Sequence, residues 1–221
     1  MSEFDDSSVR GLPGPLPQGE HIVWQGAPDW RTLARTAMHA HWVAGYFGLL
    51  AIWRLTGGAT QGEAFSHALG QAALTVLAGL VAVALLVGYA WLSARTTAYT
   101  LTNRRLVLRH GVALPKAFNI PFASVASAGL RLDRAGTGDI PLALLGDAKI
   151  AYPHLWPHVR PWRFSHPEPM LRAVPDAAGV ASTLSQAMQQ AARDANRYFA
   201  AETPRTESTA EAATALDPIS A

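Results

Sequence analysis

The chain has 221 residues and no cysteine, which excludes disulfides, thiol catalysis and cysteine-ligated metal sites. Its 18 basic and 16 acidic residues give a formal net charge of +2 at pH 7. This length accommodates one domain together with a membrane anchor. The first ten residues are mostly acidic and polar, and they lack the basic flank and apolar run of a secretory signal peptide.

The first apolar stretch runs from residue 37 to residue 55. Its length is close to the ~20 residues that a helix needs to cross the hydrocarbon core of a bilayer. Trp42 and Trp53 suit the two membrane–water interfaces, and Arg54 can extend its charge to the headgroups. We predict a first transmembrane helix here, and an interfacial or re-entrant helix is the alternative.

The second apolar stretch, residues 70–92, contains no charged residue. It is long enough to span a bilayer, so we predict a second transmembrane helix; the alternative is a helix buried in the core of a soluble domain. Gly70, Gly79 and Gly88 recur every nine residues along it. Small residues allow helices to approach closely, either within the hairpin or against another membrane protein.

Basic residues flank the two stretches on one side only. Two arginines lie shortly before the first stretch and four follow the second before residue 110, whereas the linker 56–67 has one acidic residue and no Lys or Arg. The positive-inside rule therefore places both termini in the cytoplasm. We expect a transmembrane hairpin over residues 32–94, preceded by an N-terminal cytoplasmic segment, residues 1–31.

Beyond residue 97 the hydrophobic pattern changes from helical to alternating. Tyr99 and Leu101 are two apart, as are Leu106 and Leu108, and further short runs up to residue 153 are separated by Gly, Pro and Asn. Such spacing is typical of an antiparallel sheet or a partly open barrel.

A helical pattern returns near the C-terminus. An apolar stripe from Val180 to Tyr198 predicts an amphipathic helix that is capped by Asp176 and ends near Ala200. Residues 203–221 are rich in Ala, Thr, Ser and Glu, and we expect them to be disordered.

Residues 99–105 read Tyr-Thr-Leu-Thr-Asn-Arg-Arg, and they are followed by Gly111 and by Ile120-Pro121. This pattern resembles the core motif of bacterial PH-like membrane proteins, which also carry membrane helices just before this domain. The resemblance implies a PH-like domain over residues 95–202. The predicted fold class is an α+β membrane protein: a two-helix transmembrane hairpin, then an antiparallel β-barrel or sheet capped by a C-terminal amphipathic helix.

The block before the hairpin resembles the PuhB family of photosynthetic complex assembly proteins of purple bacteria. The motifs that carry this resemblance are Arg10-Gly11-Leu12-Pro13, Gly19-Glu20, Trp24-Gln25-Gly26 and Pro28-Asp29-Trp30. It implies a non-enzymatic factor that assembles the photosynthetic reaction centre with its core light-harvesting antenna in the bacterial inner membrane. Reaction-centre subunits would be its partners, with the H subunit and a second copy of the chain (a homodimer) as candidates.

His39 and His41 lie at the start of the first apolar stretch. Residues two apart do not share a helix face, so the pair is a poor metal site. His39 could ligate the magnesium of a bacteriochlorophyll, which would suit a factor that handles pigment. An ordinary polar residue at the membrane surface is the alternative.

The segment 153–167 combines four prolines with three histidines and the aromatic residues Trp156, Trp162 and Phe164. This composition predicts a contact loop for the bilayer interface or a protein, or a long connection that covers the end of the barrel. A zinc site formed by its histidines is a further alternative, although the prolines disfavour a helix that would align them.

The basic residues Arg104, Arg105 and Arg109 follow the second apolar stretch, and no acidic residue occurs from 64 to 132. We expect them to lie against anionic lipid headgroups rather than nucleic acid, because they are close to the membrane. Trp24, Trp30, Trp156 and Trp162 are the other predicted partner or membrane contacts. The alternative function is a PH-like module that binds anionic lipid or a protein and is unrelated to photosynthesis.

No catalytic constellation is visible. Ser124, Ser127 and Asp133 are close in sequence but lack a nucleophile-elbow pattern, and Gly136-Thr137-Gly138 is too short for a phosphate loop. We therefore expect a protein without enzymatic activity.

Overall fold

The computed structural model describes residues 12, 14–60, 62, 64–146 and 151–202. A short strand comes first, three helices follow it, and a run of six strands then leads to a short helix, a last strand and a long C-terminal helix. The helices are α1 (Trp30–Thr36), α2 (Ala40–Thr60), α3 (Phe65–Thr96), α4 (Tyr152–Leu155) and α5 (Ala177–Glu202). The strands are β1 (Ile22–Gly26), β2 (Ala98–Thr102), β3 (Arg105–His110), β4 (Lys116–Pro121), β5 (Val125–Ala128), β6 (Arg131–Leu132), β7 (Gly138–Leu144) and β8 (Met170–Val174).

The 32-residue helix α3 contains the uncharged stretch and, within the described part of the chain, is the one helix long and apolar enough to cross a membrane. Only 11% of its most apolar window is buried, which disfavours the alternative of a core helix. The structure therefore supports α3 as one candidate span, and a crossing by α2 stays a prediction.

The helix α2 packs along α3. A Cβ atom placed on Gly79 would lie 2.6 Å from Phe47 Cβ, so the two helices are in close contact at this glycine. Arg54 Nη1 also donates a hydrogen bond to Gln71 Oε1 at 2.7 Å. Gly79 thus packs within the helix pair, whereas Gly70 and Gly88 have open space beside them.

The strands form two antiparallel sheets. The first has the order β1-β2-β3-β4, and in the second β7 pairs with β5, β6 and β8. The described strands leave these as separate sheets, so the predicted sheet is present but a closed barrel is not. Because β1 pairs with β2, residues predicted as a separate N-terminal segment share a sheet with the domain that follows α3.

The core lies between the sheets and α5. Tyr99, Leu101, Leu106 and Leu108 face it, as their alternation predicts. Thr100, expected on the outer face, is also buried, and it accepts a hydrogen bond from Gln25 Nε2 at 2.9 Å, because β1 lies beside it.

The helix α5 confirms the predicted amphipathic element. Its stripe of Val180, Leu184 and Ala187 is buried against the sheets, and Gly179 N–H bonds the Asp176 carboxylate at 3.3 Å. Of the apolar run 148–153 that the sequence predicts as a strand, Tyr152 and Pro153 instead begin the short helix α4, and residues 148–150 lie outside the described residues. The predicted disordered tail, residues 203–221, also lies outside them.

Candidate functional site

A buried polar cluster lies where α3 meets the sheets. The helix ends at Thr96, and Thr97 and Tyr99 immediately after it turn their side chains towards His158, which is fully buried. His158 comes from the segment that follows α4, and Arg172 reaches the cluster from β8. Three distant parts of the chain therefore meet around one imidazole.

The hydrogen bonds around this imidazole are compatible with its neutral form. Thr97 Oγ1 donates to Ser93 O at 2.7 Å, so it accepts from His158 Nε2 at 3.1 Å. Tyr99 Oη accepts from the Arg172 N–H at 3.0 Å, and its own proton has two acceptors in reach, His158 Nδ1 at 2.9 Å and Arg172 O at 3.1 Å. When Tyr99 donates to Nδ1, His158 is the neutral tautomer with its proton on Nε2.

Electrostatics favour the same state. Burial, followed by the nearby His110 and the charge of Arg172, holds the pKa of His158 well below its ordinary value. The ring of His110 lies 5.3 Å from that of His158, and burial likewise lowers the pKa of His110, with the Lys116 charge contributing. Burial raises the pKa of Tyr99, which stays protonated. The cluster is thus an arrangement of neutral rings beside one cation.

That cation, Arg172, ties the cluster to α1. Its Nη1 donates to Pro157 O at 3.0 Å and its Nη2 to Thr36 O at 3.1 Å, the last residue of α1. The side chain is buried, and its Nε has no hydrogen-bond partner. A buried guanidinium needs such acceptors, because an unpaired buried charge is strongly destabilising.

The cluster is built for attachment rather than chemistry. His158 is enclosed and both of its ring nitrogens are engaged, so it cannot take a proton from a substrate. The hydrogen bonds of His158 and Arg172 instead connect the ends of α3 and α1 to β2 and β8. The arrangement fixes the orientation of the apolar helix relative to the sheets.

The predicted arginine cluster is divided by the structure. Arg105 forms a bidentate ion pair with Glu20, with Nε–Oε1 at 2.6 Å and Nη2–Oε2 at 2.9 Å. Asn103 beside it accepts from the His21 N–H and donates to Gly19 O. The Asn-Arg-Arg turn therefore holds the segment before β1, and Arg105 is paired with a carboxylate of that segment.

Glu20 is nearly enclosed by this pair. Burial of its carboxylate opposes ionisation, but hydrogen bonds from Arg105 and Thr102 and the charges of Arg105 and Arg104 outweigh that effect. The pKa of Glu20 is consequently lowered from its ordinary value.

Arg104 and Arg109 lie at opposite ends of β3. Arg109 is opposite Ala98, directly after α3, whereas exposed Arg104 is in the turn at the far end of β2. A strand rises about 3.3 Å per residue, which places the two about 15 Å apart along the sheet. The three arginines therefore do not form one patch.

The aromatic loop, which we define as residues 156–164, lies beside the C-terminal part of α3. The ring of Trp156 stacks on that of Tyr89, with centroids 5.6 Å apart and planes at 26°. Trp162 and Phe164 are 85% and 63% exposed, and their rings meet edge to face at 6.3 Å. The predicted contact residues Trp156 and Trp162 are thus together on one exposed loop.

The other predicted aromatic contacts lie elsewhere. Trp24 is half-buried in β1 and packs against the core, where its ring fills the space beside Gly26. Trp30 begins α1, with the Arg31 guanidinium 5.3 Å from its ring centroid. The α1 N-terminus is capped by Asp29, whose carboxylate accepts from the Thr32 N–H at 2.8 Å. Trp24 is therefore a packing residue in this structure.

His39 lies between α1 and α2 with a φ of 53°. Its carbonyl accepts from Trp42 N–H at 2.9 Å, and its exposed ring approaches Ala37 O at 3.3 Å through Nδ1. Because this imidazole is exposed, it would hold the magnesium of a pigment only at the protein surface. Among the described residues, no group of three His, Cys, Asp or Glu side chains is placed to bind a metal.

The buried cluster is what sequence reasoning missed. The sequence pattern groups His158 only with His154 and His166, both of which are exposed, as ligands of the alternative zinc site. The usable signal was Arg172, a lone charge inside the otherwise apolar run of β8, because a buried charge requires partners from elsewhere in the fold. The identity of those partners depends on contacts across 73 residues of sequence.

Comparison with known proteins agrees with this architecture. The model of the bacterial PH domain family matches residues 48–188. An uncharacterized 23.7 kDa protein in the puhA 5' region of Rhodobacter capsulatus is 41% identical over 189 residues, which are 85% of this chain and 88% of that protein. No solved structure matches the chain. With the family model covering more than half of its length, including α3 and the strands from β2 to β8, this chain belongs to the bacterial PH domain family.

Proposed function

We propose that this protein is a membrane-anchored, non-enzymatic assembly factor for the photosynthetic reaction centre and its core light-harvesting complex. The observation that carries the proposal is the extensive similarity to a protein in the puhA region of Rhodobacter capsulatus, a genomic setting that points to photosynthesis. The resemblance of the N-terminal block to the PuhB family supports the same assignment. Reaction-centre subunits, including the H subunit, and the core antenna are the proposed partners.

The helices support membrane anchoring. Large apolar side chains on α2 and α3 are exposed to an extent that soluble monomers avoid, among them Trp42, Leu49, Trp53, Leu74 and Leu85. In a bilayer these side chains would face lipid, with α3 as the span and α2 packed against it as the second span of the proposed hairpin. The flanking arginines would keep both termini in the cytoplasm.

The PH-like domain would then present its surfaces to partners on the cytoplasmic side. The buried cluster around His158 supports this role, because it fixes the domain to the end of α3 and α1. A rigid attachment gives a scaffold a defined orientation over its partner, which lowers the entropy lost on binding. A pigment bound at exposed His39 would extend the same role to bacteriochlorophyll.

The test is near-infrared absorption of membranes from a Rhodobacter capsulatus strain that lacks the similar gene. We expect reduced reaction-centre and core-antenna bands, and restoration when this chain is expressed in its place. An empty vector is the control. Unchanged bands in the deletion strain would overturn the assembly role.

Membership in the PH domain family and the place of Arg109, opposite Ala98 at the end of α3, favour a second candidate, recognition of anionic lipid. Each arginine near an anionic bilayer contributes about 1 kcal/mol. Phosphatidylglycerol, but not phosphatidylcholine, should then raise the melting temperature of the solubilised chain. Arg109→Ala should weaken that rise, and Arg104→Ala, at the far end of β3, should retain it. Equal stabilisation by both lipids would contradict this candidate.

A further inference from the structure

Trp156 places the start of the aromatic loop at a definite level along α3. Trp156 stacks on Tyr89, which is three residues from the end of the uncharged stretch that closes at Leu92. At about 1.5 Å per residue, Tyr89 lies some 5 Å below that end. A bilayer that surrounds the uncharged stretch therefore reaches the level of Trp156.

The same level carries other side chains suited to a membrane–water interface. The Arg95 guanidinium lies 4.3 Å from the ring centroid of Trp91, so its charge sits at the end of the apolar stretch with an aromatic ring beneath it. Tyr and Trp are enriched at the headgroup level, where an apolar ring body and a polar edge are both accommodated.

The composition of the aromatic loop also suits a membrane–water interface. Trp162 and Phe164 are exposed apolar rings, and Arg160 and Arg163 between and beside them pair with Glu168 at 2.8 and 3.7 Å. Both arginine side chains remain about half exposed, which lets them meet phosphate groups while the rings enter the acyl boundary.

We propose that the aromatic loop inserts Trp162 and Phe164 into the interfacial layer of the same leaflet in which α3 ends, and so holds the PH-like domain against the bilayer. This rests on the membrane anchoring in the proposed function and adds a second contact to it. The occupant of the exposed aromatic surface is lipid, because Trp156 joins the loop to a helix face that lipid would already surround.

Spin labelling tests the insertion directly, since the chain has no native cysteine. Trp162→Cys and Phe164→Cys variants of the full chain would be labelled in nanodiscs of phosphatidylcholine and phosphatidylglycerol. Collision of the label with oxygen is compared with collision with a water-soluble nickel chelate. Leu85→Cys, on the exposed face of α3, is the lipid control, and Arg104→Cys, in the turn far from α3, is the water control.

We expect the oxygen-to-nickel ratio at Trp162→Cys and Phe164→Cys to be several-fold above that at Arg104→Cys and below that at Leu85→Cys. Nickel accessibility equal to that of Arg104→Cys, with Leu85→Cys in lipid, would overturn the insertion and leave the loop as a surface for a protein. Nickel accessibility at Leu85→Cys would overturn membrane anchoring as well. Unchanged photosynthetic bands in the deletion strain would leave the insertion standing and remove only the assembly role.

Discussion

At the scale of single residues, Tyr99 holds the buried polar cluster around His158 together. Its Oη accepts from the Arg172 N–H and lies within hydrogen-bond distance of His158 Nδ1 and Arg172 O, and these residues are buried. Tyr99→Phe keeps the ring and removes the hydroxyl from all three of these polar groups, and each buried group left unpaired costs about 1–3 kcal/mol. We expect a clearly lower melting temperature for the solubilised full chain, measured by circular dichroism. Tyr46→Phe, which removes an exposed hydroxyl, is the matched control, and an equal effect of the two would contradict this role of Tyr99.

For single residues, the sequence predicts which side chains face the core better than which side chains meet in the buried polar cluster. The alternation around Tyr99 and Leu108 indicates which side chains face the core, because a strand turns every second residue to one side. It does not show that the Tyr99 hydroxyl meets His158, since that pairing depends on the path of the segment after α4. For Arg105 the charge pattern does not reveal the ion pair with Glu20, which lies 85 residues earlier.

At the scale of elements, the contact between α2 and α3 depends on Gly79. A Cβ there would be 2.6 Å from Phe47 Cβ and 2.8 Å from its Cγ, closer than side chains tolerate. Gly79→Leu should force the helices apart and destabilise the chain by about 1–3 kcal/mol, the usual cost of overpacking. Gly70→Leu and Gly88→Leu are matched controls on the same helix, because both positions have open space. Thermal unfolding in detergent checks the ranking, and equal losses at all three glycines would exclude close packing at Gly79.

Long periodic elements could be predicted, and short or non-local ones could not. The helices α3 and α5 repeat their patterns over many residues, so their existence follows from periodicity alone. β1 is five residues long and gains its hydrogen bonds from β2, more than 70 residues later. β8 follows a proline-rich segment and likewise depends on a distant partner, β7. Neither strand has a local signal that distinguishes it from a loop.

At the scale of the whole molecule, the buried histidines link stability to pH. The folded-state pKa values of His158 and His110 lie below the ordinary value of 6.5, so the unfolded chain binds more protons near and below that pH. Stability from their neutral forms is therefore present above about pH 6.5 and is lost as the pH falls. Each histidine contributes a slope of up to about 1.4 kcal/mol per pH unit in that range. Glu20, whose pKa is lowered, adds a second loss of stability as the pH falls below 4.5, the ordinary pKa of this side chain.

This dependence has a structural consequence, because both histidines lie where α3 joins the sheets. Acid should weaken the attachment of the PH-like domain before it affects the α2–α3 contact, which contains no buried histidine among the described residues. Unfolding of the full chain at pH 8, 7, 6 and 5 should show a steep loss of stability between pH 7 and 5. His158→Gln should flatten that profile, while His41→Gln at an exposed position should leave it unchanged. A wild-type profile that is flat over this range would show that His158 is not held neutral, and the attachment would then have to rest on Arg172 and the packing around it.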